Sequence, residues 1–361
     1  MRLPSIDFLR TCAIFLMVLV HFAENLSAAL GAVWIPAGFG APIFAFLMGL
    51  SYQIWLSAQE AKRRSDEQIS KTTVRRGLFL FALGFAFNIL VWLPEDTYNW
   101  DVLTFIGAAT VFLNVARRMP SVVLVIICIL VFVISPLARA MADYPSYWEN
   151  GYFEYELTLS QVLLGFGVTG FFPLVPWLLY PIVGLVTARF VFSPGNTDPT
   201  TRPAIVGGSL IAASVLCLLL RSHLPVAVQT HWLRGWTMFP ATIEYVLFTL
   251  GFALVAFALA HRWIDLNPKF PRDGRAAAIA GTFSRHSLSI YLLHHVVHLW
   301  PLWIYGVAKG QEATYYWGNA LPIQLAVALA VGFSIAAYFL FRWLDRTGRS
   351  GVEKWMRWTC D

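Results

Sequence analysis

The feature that most constrains this chain is the recurrence of apolar runs close to twenty residues long, separated by short polar gaps, along nearly its whole length. Such a run matches a hydrocarbon core roughly 30 Å thick, and within one run in lipid only a helix satisfies its own backbone. The expected crossings are 6–30, 37–57, 77–93, 102–116, 120–140, 168–192, 204–221, 239–260, 286–306 and 321–343. Ten crossings put both termini on one side. The short third and fourth segments, and the excess length of 158–192, leave eight, nine or eleven as alternatives. The expected fold is an all-α, polytopic integral membrane helical bundle without a sheet. A composition of 58% hydrophobic and 13% charged residues, with a mean hydropathy of +0.63, excludes the soluble class.

Charge sets the orientation, because basic residues stay preferentially on the cytoplasmic side. With the N-terminus inside, 22 of the 26 Lys and Arg fall on that side, and only Arg139, Arg221, Arg234 and Lys309 lie outside. Both termini are therefore expected to be cytoplasmic. The net charge of +6 is mostly topological, so nucleic acid is not expected as a partner. Cys12, Cys128, Cys217 and Cys360 show no CxxC spacing and read as packing residues. The first apolar segment is too long for a signal-peptide core and carries Asp7, Arg10 and His21, so it reads as a retained helix.

The longest polar gaps are 63–76, 141–156 and 261–275; none has the size of a soluble domain, and a single membrane domain over 1–361 is the simplest organisation. No internal repeat supports an inverted-repeat transporter. Proline and glycine cluster at 38–50 and 165–185. Broken helices are tolerated in lipid only where protein or a water-filled cavity surrounds them, so both stretches either line an interior site or allow close packing through small residues. Nine of the fifteen tryptophans (34, 92, 100, 148, 232, 236, 300, 303 and 317) fall near the outer face, as an aromatic belt would place them.

Ionisable residues at membrane depth are costly and functional by default. Within MVLVHFAENL, His21 has Glu24 at i+3 and Asn25 at i+4. A carboxylate one turn away would orient the imidazole and raise its basicity, which a general base or acyl-accepting nucleophile requires. In SRHSLSIYLLHHVVHLW, His294 and His298 share a face at i,i+4 while His295 points elsewhere. His294 would meet His21 if the first and ninth helices are neighbours. The alternatives are a polar network holding helices together and a b-type haem protein with His21 and His294 as axial ligands. Asp101 opens the fourth helix near the outer surface, where a plain helix cap is the simplest role. On the cytoplasmic side Asp7 and Arg10, Arg75 and Arg76, and Arg285 mark helix ends; they serve topology, and such arginines also suit a pyrophosphate or nucleotide 3′-phosphate.

Taken in order, these motifs carry a resemblance. PSIDFLRTCAIFLMVLVHF resembles the opening helix of the transmembrane acyltransferase superfamily: an Asp, an Arg three residues on, then a hydrophobic run ending in His. APIFAFLMGLSYQI resembles its second helix, and VRRGLFLFALGF with WDVLTFIGAA its third and fourth. GFFPLVPWLLYPIVGL is similar to a Phe-Pro-Leu-x-Pro-Trp helix that marks the branch of heparan-α-glucosaminide N-acetyltransferase and its bacterial relatives. SRHSLSIYLLHH is similar to a late helix shared across the superfamily. Two departures stand out: Thr11 replaces the usual Gly after the Arg, and the loop from Asn25 to Phe39 has no histidine, where the mammalian heparan enzyme uses one.

The resemblance implies an enzyme of the bacterial inner membrane that moves an acyl group, most simply acetyl, from cytoplasmic acetyl-CoA to a sugar or other small acceptor at the outer face. On that basis His21 would be the acyl carrier or base, oriented by Glu24. Asp101 and His294 would orient the acceptor or complete proton transfer, and Arg10, Arg75, Arg76 and Arg285 would bind the donor. No metal is expected. The partners would be acyl-CoA, a saccharide or other small acceptor and the lipid bilayer, with homo-oligomerisation left open. The rival functions are a small-molecule or lipid-linked carrier without acyl chemistry and, from another class, a haem electron carrier.

Overall fold

The computed structural model describes residues 3–28, 38–92, 94–149, 151–349 and 351–361. Arg2 of the expected cytoplasmic set and Trp34 of the expected belt lie outside the described residues. The helices in chain order are α1 (Pro4–Leu26), α2 (Gly40–Ala61), α3 (Asp66–Phe87), α4 (Val102–Ala116) and α5 (Ser121–Met141), then α6 (Leu159–Leu164), α7 (Leu174–Trp177), α8 (Leu179–Val191), α9 (Thr201–Leu220) and α10 (Val226–His231), and finally α11 (Ile243–Ala260), α12 (Arg275–Arg285), α13 (Ser287–Ala308), α14 (Ile323–Arg346) and α15 (Val352–Cys360).

Among the described residues nine helices are long and apolar enough to cross a membrane, and they coincide with nine of the ten expected segments. The tenth is α13. It has 22 residues, length enough to span, but His294, His295 and His298 dilute its apolar character. The chain is an all-α polytopic membrane bundle. One expectation needs correction: a two-stranded antiparallel hairpin, β1 (Trp148–Glu149) with β2 (Tyr152–Phe153), closes the loop after α5. Trp148 pairs with Phe153 and Glu149 with Tyr152, three aromatic residues that suit a strand.

Contacts divide the chain into two compact units, one made of Pro42–Arg262 and the other of Arg2–Ala41 with Trp263–Thr359. Of the two Gly/Pro-rich stretches, 38–50 is continuous helix from Gly40 and its Gly49 serves close packing, whereas 165–185 is broken. Helix α6 runs into a wide turn at Gly165–Thr169, the short α7 is itself broken at Val175, and regular helix resumes with α8 at Leu179. The freed amides find protein acceptors: Phe171 N–H donates to the Asn99 carbonyl at 3.1 Å and Phe172 N–H to that of Trp100 at 3.0 Å. The indole of Trp148 donates to the Thr169 carbonyl at 2.9 Å. This is the condition lipid imposes on irregular backbone.

The second unit is organised around α1. Its N-cap Leu3 offers no side-chain acceptor, and Asp265 takes that place from a distance in sequence. The Asp265 carboxylate accepts from Ser5 N–H at 3.0 Å and from the Ser5 hydroxyl. A carboxylate at a helix N-terminus satisfies orphan amides and complements the dipole. Further along, the single Thr11 hydroxyl proton is shared between the carbonyls of Asp7 at 2.7 Å and Ala280 at 3.1 Å. Thr11 thus ties α1 to α12.

Candidate active site

Helices α1 and α13 meet through two rungs spaced one turn apart. His21 Nδ1 lies 2.8 Å from His294 Nε2, and Asn25 Nδ2 lies 2.9 Å from His298 Nε2. Each helix contributes an i,i+4 pair, so the rungs stack on one face of each. Both numbers rise together, so the helices run side by side in one direction, as the first and ninth crossings of a ten-helix topology must.

The backbone decides which nitrogen carries each proton. His294 Nδ1 faces the Ile290 carbonyl at 3.1 Å, and only an N–H can bond there. With both rings neutral, its Nε2 is then the acceptor, His21 Nδ1 is the donor, and His21 Nε2 keeps a lone pair. The same logic orders the second rung: His298 Nδ1–H donates to the His294 carbonyl at 2.5 Å, and its Nε2 accepts from Asn25. His294 and His295 are fully buried and His298 is 4% exposed. Phe22 packs on the His298 ring at 4.6 Å and on Phe333 at 5.6 Å.

The site differs from expectation in three places. Glu24 is exposed and forms neither a hydrogen bond nor an ion pair with His21; the ring is oriented by His294 instead, because i+3 carried the carboxylate past the α13 contact while i+4 met it. His295 does not point elsewhere: its ring centroid lies 4.5 Å from that of His21 and 4.0 Å from that of His294. Adjacent residues on a helix are about 100° apart, and the two flank the line of contact. Asp101 occupies the N-cap of α4, yet its side chain makes no capping bond; its carbonyl receives Thr104 Oγ1 and Phe105 N–H.

Ring nitrogens of His21, His294 and His295 all lie within 4.8 Å of one another and could hold a metal ion. As placed, the closest pair is hydrogen-bonded: two imidazoles on one tetrahedral zinc would stand about 3.3 Å apart given Zn–N bonds of about 2.0 to 2.1 Å, against 2.8 Å here. That separation also leaves no room for iron and a macrocycle between His21 and His294.

Of the arginines, Arg10 Nη1 donates to Ser284 Oγ at 2.9 Å, and Arg285 pairs with Asp345 at 2.8 Å. Arg75 and Arg76 belong to the first unit, where Arg75 is exposed and Arg76 lies 5.1 Å over the Trp55 ring. The structure thus brings His21 together with His294, and neither with Glu24. Sequence reasoning missed Asp265, Ser284 and His295 as neighbours of α1; the repeated i,i+4 polar spacing, 21/25 and 294/298, was the signal that could have registered the helix pair.

The chain is thus a mostly helical, membrane-spanning bundle in which a half-buried histidine is hydrogen-bonded between two helices. Residues 2–228 match the family model described as heparan-alpha-glucosaminide N-acetyltransferase, catalytic, and the chain belongs to that family. The match includes His21 and ends before α13, so His294 and His298 lie beyond it. No curated protein matches the chain.

Proposed function

We propose that this protein transfers an acetyl group from acetyl-CoA, bound from the cytoplasm, to an amine or hydroxyl of a saccharide or other small acceptor at the outer face of a bacterial inner membrane. The observation that carries this reading is the tautomer set at His21: Nδ1–H donated to His294, Nε2 left with its lone pair. A neutral imidazole so oriented suits either of two roles. As nucleophile, His21 Nε2 forms the bond to the acyl carbon while the thiolate departs, and the Nδ1 proton passes toward His294 Nε2. As base, Nε2 takes the acceptor's proton while the acceptor attacks the thioester directly, the C–S bond breaks, and the departing CoA thiolate takes the proton back from Nε2. In both, His294 is a positioning residue that fixes the ring and receives or returns a proton. Family membership supports acyl transfer as the reaction class. Arg10, in the same unit as His21, is a basic group suited to the donor's phosphates.

The test is incubation of detergent-purified protein with radiolabelled acetyl-CoA and candidate amino sugars, with His21→Ala in parallel. Label transfer that disappears in a folded His21→Ala protein is the expected result. Full activity without His21 overturns the assignment, and transport of a solute with neither acetyl-CoA binding nor labelling would make the protein a carrier.

A further inference from the structure

A cavity of about 360 Å³ opens where the end of α14 meets α12, lined by Thr282, Arg285, Tyr338, Arg342, Asp345 and Arg346 among others. Three guanidiniums face one carboxylate. Basic residues at helix ends are ordinary sidedness signals, but those spread into water, and these converge on one concavity. Arg285 is held by Asp345, and Arg342 bonds the Tyr338 hydroxyl with its guanidinium 5.7 Å from that ring. Arg346 makes no hydrogen bond or ion pair among the described residues. The set is preorganised on one side and short of an anion on the other.

The surroundings indicate what carries that anion. Tyr338 lies eight residues before Arg346, so the cavity runs about 12 Å down α14 from its charged end. Alongside it α14 exposes Ile335 at 55% and Phe339 at 64%, a surface suited to acyl chains. At the same end Arg349 stacks over Trp343 at 5.6 Å. Helix α15 then adds Trp355 and Trp358 to the exposed face, with Lys354 and Arg357 beside them. Tryptophan and cations together mark the interfacial layer of a membrane. Helix α15 is held at that level: Glu353 accepts from Ser289 N–H at 2.8 Å and from the Ser289 hydroxyl at 2.6 Å, while His286 bonds Asp345 at 2.9 Å and stands 3.8 Å from Glu353.

We propose that this cavity is a headgroup site for an anionic phospholipid, its phosphate held by Arg285, Arg342 and Arg346 and its chains lying along the apolar face of α14. A soluble phosphate would use the guanidiniums but leave the flanking apolar surface without a partner; a phosphodiester on two acyl chains uses both. The site stands independently of acetyl transfer.

Native mass spectrometry of the full-length protein, incubated with phosphatidylglycerol or phosphatidylcholine, tests it. We expect at least a tenfold preference for phosphatidylglycerol, abolished in Arg342→Gln/Arg346→Gln. Should the double variant fail to fold, Arg346→Gln alone, which breaks no internal bond, is expected to cut the preference at least threefold. Equal occupancy by the two lipids, or a preference unchanged in the variants, overturns the proposal. So does displacement of bound lipid by adenosine 3′,5′-bisphosphate, which would assign the cavity to a soluble phosphate ligand.

Discussion

The two units hold their helices together in opposite ways. In the Pro42–Arg262 unit the tightest helix contacts are backbone on backbone, beside a few polar ties such as Tyr180 with Thr249 and Ser214 with the Glu244 carbonyl. A Cβ on Gly207 would lie 2.6 Å from the Gly251 carbonyl and one on Gly251 2.5 Å from that of Gly207, and Gly77 and Gly107 form a second such pair. In the unit built on α1 the ties are polar: Ser5 with Asp265, His21 with His294, Asn25 with His298, Ser289 with Glu353. Lipid tails are as apolar as leucine, so helices in a membrane associate through close van der Waals packing or through hydrogen bonds. The first solution leaves nothing to titrate. The second places donors and acceptors where chemistry can use them.

The largest expected effect breaks the packing side of this contrast. Gly251→Leu must seat a side chain where even a Cβ overlaps a carbonyl, and we expect a loss of about 3 kcal/mol or more, read as a large fall in thermal midpoint in detergent. A variant that melts within about 2 °C of wild type, well under what such a loss produces, would remove the backbone-contact account.

On the polar side, His294→Ala should lower kcat about a hundredfold, or about 2.7 kcal/mol in the barrier, with a much smaller change in melting. The adjacent rung sharpens the point. Asn25→Ala is expected to cost about 1 kcal/mol of stability and less than threefold in kcat. If the two variants lose activity equally, the rungs share one structural role and His294 has no special part in proton transfer.

Docking of α15 should depend on pH in both directions. Burial works against the His286 imidazolium, but the Glu353 and Asp345 carboxylates outweigh it and raise its pKa; burial likewise disfavours ionised Glu353, yet His286 and Ser289 lower its pKa. The His286 contribution is full below its ordinary value of about 6.5 and is lost as pH rises through the raised one. The Glu353 contribution is present above about 4.3 and is lost as pH falls through the lowered value. Hydrogen-exchange protection of α15, measured relative to the intrinsic rate at each pH, should therefore be greatest between those limits. Glu353→Gln should erase the acid limb at a cost of about 1 to 2 kcal/mol, and His286→Gln the alkaline limb. A flat profile in wild type would show that the ion pairs do not hold α15. The smallest effect is expected at Glu24→Gln, under twofold in kcat, because the exposed carboxylate touches neither ring; a tenfold loss there would restore it to the site.

Much of this was legible in the apolar pattern. Crossing segments need only length and hydropathy, which is why nine of them coincide with helices, and why the broken stretch around Gly170 and Pro173 could be anticipated from its Gly and Pro. His21 and His294 were recognisable as costly residues at depth. Their partners were less so: Glu24 and Asn25 both lie one turn from His21, and only the angle at which α13 crosses α1 selects Asn25 for the second rung and leaves Glu24 outside. Asp265 capping α1 from 260 residues away has no local signal at all, since its role depends on two loop ends meeting in space. The hairpin at 148–153 is too short for alternation to announce.

The His21–His294 pair consists of two neutral rings sharing one hydrogen bond, whereas a histidine oriented by a carboxylate would set a full negative charge within the electric field of an energised membrane. Such a charge changes energy by about 2.3 kcal/mol for each 100 mV it traverses. Two neutral rings carry no net charge, so on the function proposed above the membrane potential exerts no net force on the pair at rest.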